Sequence, residues 1–269
     1  MKTRVAIIAV YFGPFPKTFE AFKITAKFNK EYDWFIFTDQ VKKLERDGNI
    51  TYFPYNMTTL NKKLSYIFEI PIKLTERNCI CDLRPIFAEI FETFLIGYNW
   101  WGWTDLDLLN GNFSKYLNDD IFDNYDAINM TNKKYHDEES LNGSFMLLSM
   151  SVKHIYRDIN NFGQMIATGD PEGRYGCLNT EEREFFDAFK KNNLKLYKGK
   201  YVDNYLIPII RYGQRKLPVK WKNGDLEVQS YKEDYYSTYV ERYGCDTMVF
   251  HMPKRYNNII IKDNEIEVN

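Results

Sequence analysis

The sequence lacks long hydrophobic runs, paired cysteines and any strong net charge, and each absence excludes a class of protein. None of its apolar segments reaches the 18 residues of a membrane-spanning helix. With 36 basic and 37 acidic side chains the net charge is −1, which gives no general attraction for nucleic acid. The four cysteines lack zinc-site spacing, so reduced thiols in the cytoplasm are the simplest interpretation.

The amino terminus is too poor in apolar residues to be a signal peptide. Its basic start is followed by only about seven apolar residues before glycine and proline appear, and it fits a first strand better. We therefore expect a cytoplasmic protein with a single domain over residues 1–269, a length that can bury a substantial core.

What the sequence does contain is an alternation of strand-like and helix-like segments. The first strand is predicted at RVAIIAVYFG, followed by a helix at KTFEAFKITAKFN and a second strand at YDWFIFTD. This order predicts a parallel sheet in an α/β fold. Further strands are predicted at NWWGWT, YDAINM, GSFMLLSM and DTMVFHMPKR.

Several more helices are expected, together with one mobile loop at residues 165–180. The segment DLRPIFAEIFETFLIGY predicts a long helix with Asp82 as its N-cap, Pro85 in its first turn and Gly97 at its end. Other helices are predicted at TTLNKKLSYIFEI, SVKHIYRDINNF and EEREFFDAFKKNN.

Two carboxylates, Asp105 and Asp107, follow the tryptophan-rich strand. An Asp-x-Asp triplet alone says little, because chance supplies one in a chain with 19 Asp among 269 residues, and a turn is the simplest interpretation. At the carboxyl end of a strand in an α/β pattern, however, two such groups lie where open sheets bind ligands. They repel each other unless a cation is near, and oxygen ligands favour Mg²⁺ or Mn²⁺. A metal there would stabilise a departing diphosphate, as a nucleotide-sugar transferase requires.

The order of several segments resembles GT-A glycosyltransferases, most closely a bacterial family of capsule and surface-polysaccharide synthesis. The segments are AVYFGPFP, FIFTD, CDLRPIFAEIF, YNWWGWTDLDLLNGN, NGSFMLL and FHMPKR. The resemblance implies a Rossmann-like GT-A domain with a mixed, mostly parallel central sheet flanked by helices. It implies transfer from a nucleotide-sugar donor, most simply UDP-linked, to a saccharide or lipid-linked acceptor.

The same resemblance implies roles for individual residues, each with a simpler alternative. Asp105, Asp107 and His251 would hold the metal, although a lone histidine near a strand is often structural. Lys254 and Arg84 would contact the diphosphate or donor sugar, although Arg84 also suits a surface ion pair.

Further positions would bind the nucleotide or take part in the reaction. Tyr11, Thr38 and Asp39 end two strands where a base or ribose would lie, although strand ends also favour Thr and Asp for capping. Glu181 or Glu182 would act as a general base or bond the sugar, although acidic residues are common in a first helical turn.

Two other functions remain open from the sequence. A nucleotidyltransferase also uses carboxylate-bound metal, but YFGPFPKTFE after the first strand is too poor in Gly and Arg for it. A non-catalytic glycan-binding protein on a degenerate transferase fold is the third possibility. The basic carboxyl-terminal runs suit a solvated surface, or peripheral contact with anionic lipid at the inner face of the membrane.

Overall fold

A computed structural model gives the structure of the chain and bears out the predicted α/β class. It describes residues 2–75, 77–131, 141, 143–168, 180, 182–203, 219–228, 230–234, 237–241, 249–251, 259–262 and 265–268. Ten strands form a mixed central sheet in the order β3-β4-β2-β1-β5-β8-β7-β9-β14-β6. Of its nine neighbouring pairs five are parallel, so the sheet is mixed with a parallel majority.

The strands of the central sheet are β1 Val5–Tyr11, β2 Tyr32–Thr38, β3 Glu45–Asp47, β4 Ile50–Pro54, β5 Trp100–Thr104, β6 Leu108–Asn110, β7 Ala127–Thr131, β8 Phe145–Ser149, β9 Leu196–Asp203 and β14 Val249–His251. The other strands are β10 Val219–Lys222, β11 Asp225–Val228, β12 Ser230–Asp234, β13 Ser237–Glu241, β15 Ile259–Lys262 and β16 Glu265–Val268. The α-helices are α1 Phe19–Phe28, α2 Met57–Phe68, α3 Phe87–Ile90, α4 Asp119–Asn124, α5 Phe162–Thr168 and α6 Arg183–Lys191.

Both faces of the central sheet are covered, because alternate side chains of each strand point to opposite faces. On β1, Ala6 and Ile8 pack in one core cluster with residues of α2 and α3. Ile7 instead packs in the other cluster, which includes the buried residues Phe19 and Phe22 of α1. The near-continuous apolar sequence of β1 is therefore that of a strand buried on both sides.

The segment predicted as one long helix after Asp82 is broken up. Residues Arg77–Ile86 form a 3-10 helix that contains Pro85, and only α3 follows as a short α-helix before a further 3-10 turn at Glu92–Phe94. Asp82 is therefore not an N-cap. Pro85 lacks a backbone donor and disfavours α-helical geometry in the residue before it, which explains why α3 begins only at Phe87.

One more predicted helix and the predicted loop differ in detail from the structure. SVKHIYRDINNF forms the 3-10 turns Met150–Val152 and Ile155–Asp158, and α5 begins only at Phe162. Part of the loop predicted at 165–180 belongs to α5, and residues 169–179 lie outside the described residues. Within the described parts of the chain, no helix combines the length and apolar character needed to cross a bilayer.

A second sheet that the sequence pattern did not predict packs against the central body. It has four antiparallel strands in the order β11-β10-β16-β15. Trp221 of β10 is fully buried and its indole nitrogen donates to the carbonyl oxygen of Asn110, at 2.9 Å. Its ring also meets Phe28 of α1 edge-on, with centroids 5.5 Å apart. This sheet therefore contacts the end of β6, three residues beyond Asp107.

Candidate active site

The candidate site lies beside β1, where the order in which strands are added to the sheet reverses. β1 pairs in parallel with β2 on one side and with β5 on the other, so the strands beside β1 are reached by connections that run opposite ways. In open α/β sheets, ligands bind beyond the carboxyl ends of strands at such a switch point. Tyr11 and Thr38 are register partners at this edge, and Asp105 follows the end of β5.

Asp105 and Asp107 project from the tight connection between β5 and β6. Residues 106–107 form a turn, so the two aspartates do not lie in one extended segment. Burial nevertheless alternates: Leu106 and Leu108 are buried in the core, whereas both aspartates are partly exposed. The two leucines anchor the β5–β6 connection in the core, and the two carboxylates lie at the surface, at the carboxyl edge of the sheet.

Arg84 forms an ion pair with Asp105. Its guanidinium binds one carboxylate oxygen of Asp105, and another of its nitrogens donates to the carbonyl oxygen of Gly143, at 2.6 Å. The side chains of Arg84 and Asp105 are only 14% and 28% exposed, so this is not the exposed surface ion pair of the simpler alternative. The same Gly143 carbonyl accepts from the indole of Trp103 at 2.8 Å, which fixes its position.

A buried aspartate joins the Arg84 segment to the segment before α6. Asp82 is 2% exposed, and its carboxylate accepts from the backbone amide of Thr180 at 3.2 Å. The Thr180 hydroxyl donates in return to the carbonyl oxygen of Asp82, at 2.9 Å. Glu182 lies two residues on, and its carbonyl oxygen accepts from the amide of Leu141. Glu182 is thereby tied to the segment that leads to Gly143, and Glu181 lies outside the described residues.

The predicted nucleotide residues lie together at the ends of β1 and β2, with different accessibility. Asp39 is exposed, and one of its carboxylate oxygens accepts from the backbone amide of Gly13, at 2.7 Å. Thr38 is fully buried, and its hydroxyl accepts from the amide of Gln40. Tyr11 is half-buried and stacks on Phe15, with centroids 5.9 Å apart. Tyr11 and Asp39 are thus accessible to a ligand, whereas Thr38 caps the strand end.

The last strand of the central sheet brings the backbone of His251 to the same region. β14 pairs with β6 so that His251 lies opposite Leu108, the residue after Asp107. Paired residues of antiparallel strands have Cα atoms about 5 Å apart. Lys254 lies outside the described residues. A role for His251 is implied only by the family resemblance, and no local sequence pattern predicts the pairing of β14 with β6.

The residues present fit a divalent metal that is bound partly by protein carboxylates and partly by a substrate phosphate. Across the described residues, no group of three or more His, Cys, Asp or Glu side chains converges as a complete metal cage. Mg²⁺ is commonly held by one or two carboxylates, with substrate phosphates and water completing its shell. Partly exposed Asp105 and Asp107 at a ligand-binding edge meet that requirement.

The profile of a family described as "Family of unknown function (DUF6625)" matches residues 7–268. No curated protein sequence matches.

Two solved structures share a similar chain path. One is a glycosyltransferase involved in the glycosylation of the major capsid of PBCV-1, 9% identical, covering 93% of this chain and 94% of that chain with a TM-score of 0.47. The other is an active-site mutant of LgtC, 11% identical, covering 93% of this chain and 87% of that chain, also at 0.47. At these values neither likeness assigns a function, which depends on the residues of the carboxyl edge.

Proposed function

We propose that this chain, which belongs to the DUF6625 family, is a metal-dependent glycosyltransferase. It moves a sugar from a nucleotide-sugar donor, most simply UDP-linked, to a saccharide or lipid-linked saccharide acceptor in surface-polysaccharide synthesis. One observation carries the proposal: at the switch point of the sheet, Tyr11 ends β1, and Asp39, Asp105 and Asp107 follow the ends of the adjacent parallel strands β2 and β5.

The spacing of these residues suits a nucleotide diphosphate. Neighbouring strands lie about 4.8 Å apart, so β2 and β5 are separated by about 10 Å across β1. A nucleoside held by Tyr11 and Asp39 would place its phosphates beside the β5–β6 connection. The two ends of the donor would then meet chemically different residues, aromatic and polar at one end and acidic at the other.

The carboxylates of Asp105 and Asp107 would hold Mn²⁺ or Mg²⁺, and His251 is proposed as a third ligand. When bound, the metal supplies positive charge where the leaving diphosphate gains negative charge. Lys254 would add a cation to the same phosphates.

Arg84 has two tasks in this proposal. Its fork of donors orients Asp105 and, through the Gly143 carbonyl, holds the segment that begins β8. We also propose that Arg84 contacts the diphosphate or a hydroxyl of the donor sugar. Glu182, or its neighbour Glu181, would accept a proton from the acceptor hydroxyl or bond the donor sugar.

Partners and location follow from the substrate class. A nucleic-acid partner is not proposed, because the net charge of −1 offers no general attraction for phosphate backbones. The protein would work in the cytoplasm, with peripheral contact at the inner face of the membrane where lipid-linked acceptors are presented.

The direct test is product analysis with a panel of nucleotide sugars and Mn²⁺. The proposal predicts release of UDP, and loss of that release when EDTA removes the metal. Release of pyrophosphate would indicate nucleotidyl transfer. Turnover that survives EDTA would contradict the metal-dependent mechanism.

A further inference from the structure

A groove lies away from the candidate active site. Its walls come from the end of α2, the following segment to Pro71, the 3-10 turn Ile155–Asp158 and the start of α5. We call it the α2–α5 groove; its volume is about 1530 Å³.

The groove lies toward the opposite, amino edge of the central sheet. The segment that leads to Tyr156, in the groove wall, begins at Met150, whose backbone amide donates to the carbonyl oxygen of Asn99. The backbone amide of Asn99 donates in turn to the carbonyl oxygen of Arg4, the residue just before β1. Asp105 follows the other end of β5, about 15 Å away along the strand. A ligand in the groove would therefore not occupy the transfer site.

Aromatic side chains form the floor of the groove. Phe68 meets Phe162 edge-on with centroids 5.7 Å apart, and Tyr156 at 6.5 Å. Gly163 allows this approach, because a Cβ there would lie 2.6 Å from the Phe68 ring. A rigid aromatic floor of this kind is a preformed apolar surface.

The rim carries an exposed ring and polar groups whose bonding capacity is not used. Tyr66 is 79% exposed. Within the described part of the chain, the side chains of Glu69, Asn161 and Gln164 make no hydrogen bond or ion pair. A carboxylate accepts hydrogen bonds, whereas amides both donate and accept. The rim thus combines an aromatic face with mixed hydrogen-bonding groups.

The charge and size of the groove select the ligand class. The groove is lined by two basic residues and three acidic ones, so it offers no net electrostatic attraction to an anionic ligand. These residues are Lys63, Arg157, Glu69, Glu89 and Glu92. Sites for drug-sized molecules occupy roughly 300–1000 Å³, so this groove accommodates a longer ligand. A neutral chain rich in hydroxyl groups, with apolar ring faces, satisfies all of these features.

We infer that the α2–α5 groove binds a neutral oligosaccharide chain, with Tyr66 stacking on a sugar ring and Glu69 accepting from its hydroxyls. The inference rests on the proposed function for its physiological ligand, a glycan acceptor. Binding an acceptor at a second position raises its effective concentration at the transfer site.

The test is calorimetric titration of the full chain with three linear hexasaccharides: maltohexaose, cellohexaose and the hexamer of N-acetylglucosamine. At least one is expected to bind. Tyr66→Ala should weaken that binding about tenfold or more and Glu69→Gln severalfold. Ile96→Ala is the matched control, because Ile96 is also 79% exposed and lies outside the groove. Thermal melting verifies that each variant is folded.

Two results would overturn the inference: no binding of any probe up to about 10 mM, or equal binding by the wild type and Tyr66→Ala. Binding that disappears in Asp107→Asn would also overturn it, because the probe would then occupy the transfer site. The proposed function is tested separately by UDP release, so probes that bind at Tyr66 without any UDP release would contradict that function alone.

Discussion

At the residue scale, the ion pair between Arg84 and Asp105 changes how the carboxylate pair works. The sequence predicts two like charges near each other, which calls for a cation. In the structure the guanidinium of Arg84 pairs with Asp105, so the protein itself supplies a cation to one of the two carboxylates. Asp105 is therefore oriented by the protein, and under the proposed function Asp107 would contribute charge to a bound ion.

Asp107→Asn is expected to lower transferase turnover by at least about 100-fold, the size of effect seen when one stabilising group is removed from a reaction centre. The fold should persist, since the side chain is partly exposed. Rates with a UDP-sugar and melting temperatures measure the two effects. Asp123→Asn, an exposed aspartate of α4, is the control and should keep wild-type activity.

Arg84→Lys is expected to reduce activity about tenfold or more although charge is conserved. A lysine has a single nitrogen and cannot bond the Asp105 carboxylate and the Gly143 carbonyl in the same fork geometry. Steady-state kinetics should show both a higher KM for the donor and a lower kcat. Unchanged kinetics in this variant would contradict the orienting role of the guanidinium.

At the element scale, apolar strand-length segments were predictable, whereas pairing partners were not. β1, β2 and β5 follow directly from buried runs of the sequence. The 3-10 helix at Arg77–Ile86 was not predicted, because Asp82 and Pro85 also suit the N-cap and first turn of an α-helix. The partnership of β14 with β6, across some 140 residues of chain, has no local signature at all.

At position 102 of β5, only glycine fits against the neighbouring strand β8. A Cβ there would lie 2.0 Å from the backbone oxygen of Met146 on β8, so β5 and β8 could not pair as they do. Gly102→Ala should therefore destabilise the protein by several kcal/mol, in the range of severe core substitutions. Gly48→Ala, where the nearest atom is a lysine side chain at 3.7 Å, should cost only about 1 kcal/mol for its positive φ. Urea unfolding of both variants makes the comparison, and equal losses would contradict it.

Asp158 links the 3-10 turn Ile155–Asp158 to the end of α6. Hydrogen bonds from Lys191 and Asn192, at 2.8 and 3.0 Å, together with the lysine charge, hold the pKa of this carboxyl below its usual 3.8. A lowered pKa in the folded state stabilises the protein at neutral pH, and this stabilisation is lost as pH falls below about 4. Because the side chain is partly exposed to solvent, the effect should be under about 1 kcal/mol.

Unfolding free energies measured between neutral pH and about pH 3 test this link. Asp158→Asn should reduce stability at neutral pH and flatten the acid limb of the curve. Lys191→Met should have a similar, smaller effect. An acid limb as steep in Asp158→Asn as in the wild type would show that the carboxyl does not contribute.

At the scale of the whole molecule, the candidate active site and the α2–α5 groove lie toward opposite edges of the central sheet. Its carboxyl edge gathers Tyr11, Asp39 and the β5–β6 connection, and the α2–α5 groove lies toward its amino edge. The first site was predictable because parallel strands end on one edge, so residues after apolar runs converge there. The groove was not, since its walls join the α2 end to the segments around Tyr156 and Phe162, which no sequence pattern relates.

The most direct test is a crystal structure of the protein with UDP and Mn²⁺, recorded where manganese scatters anomalously. We predict an anomalous peak about 2.2 Å from a carboxylate oxygen of Asp107, with the UDP diphosphate in contact with the same ion. The uracil should lie beside Tyr11 and Asp39. A peak elsewhere, or a nucleotide bound away from the carboxyl edge of β1 and β5, would contradict the account.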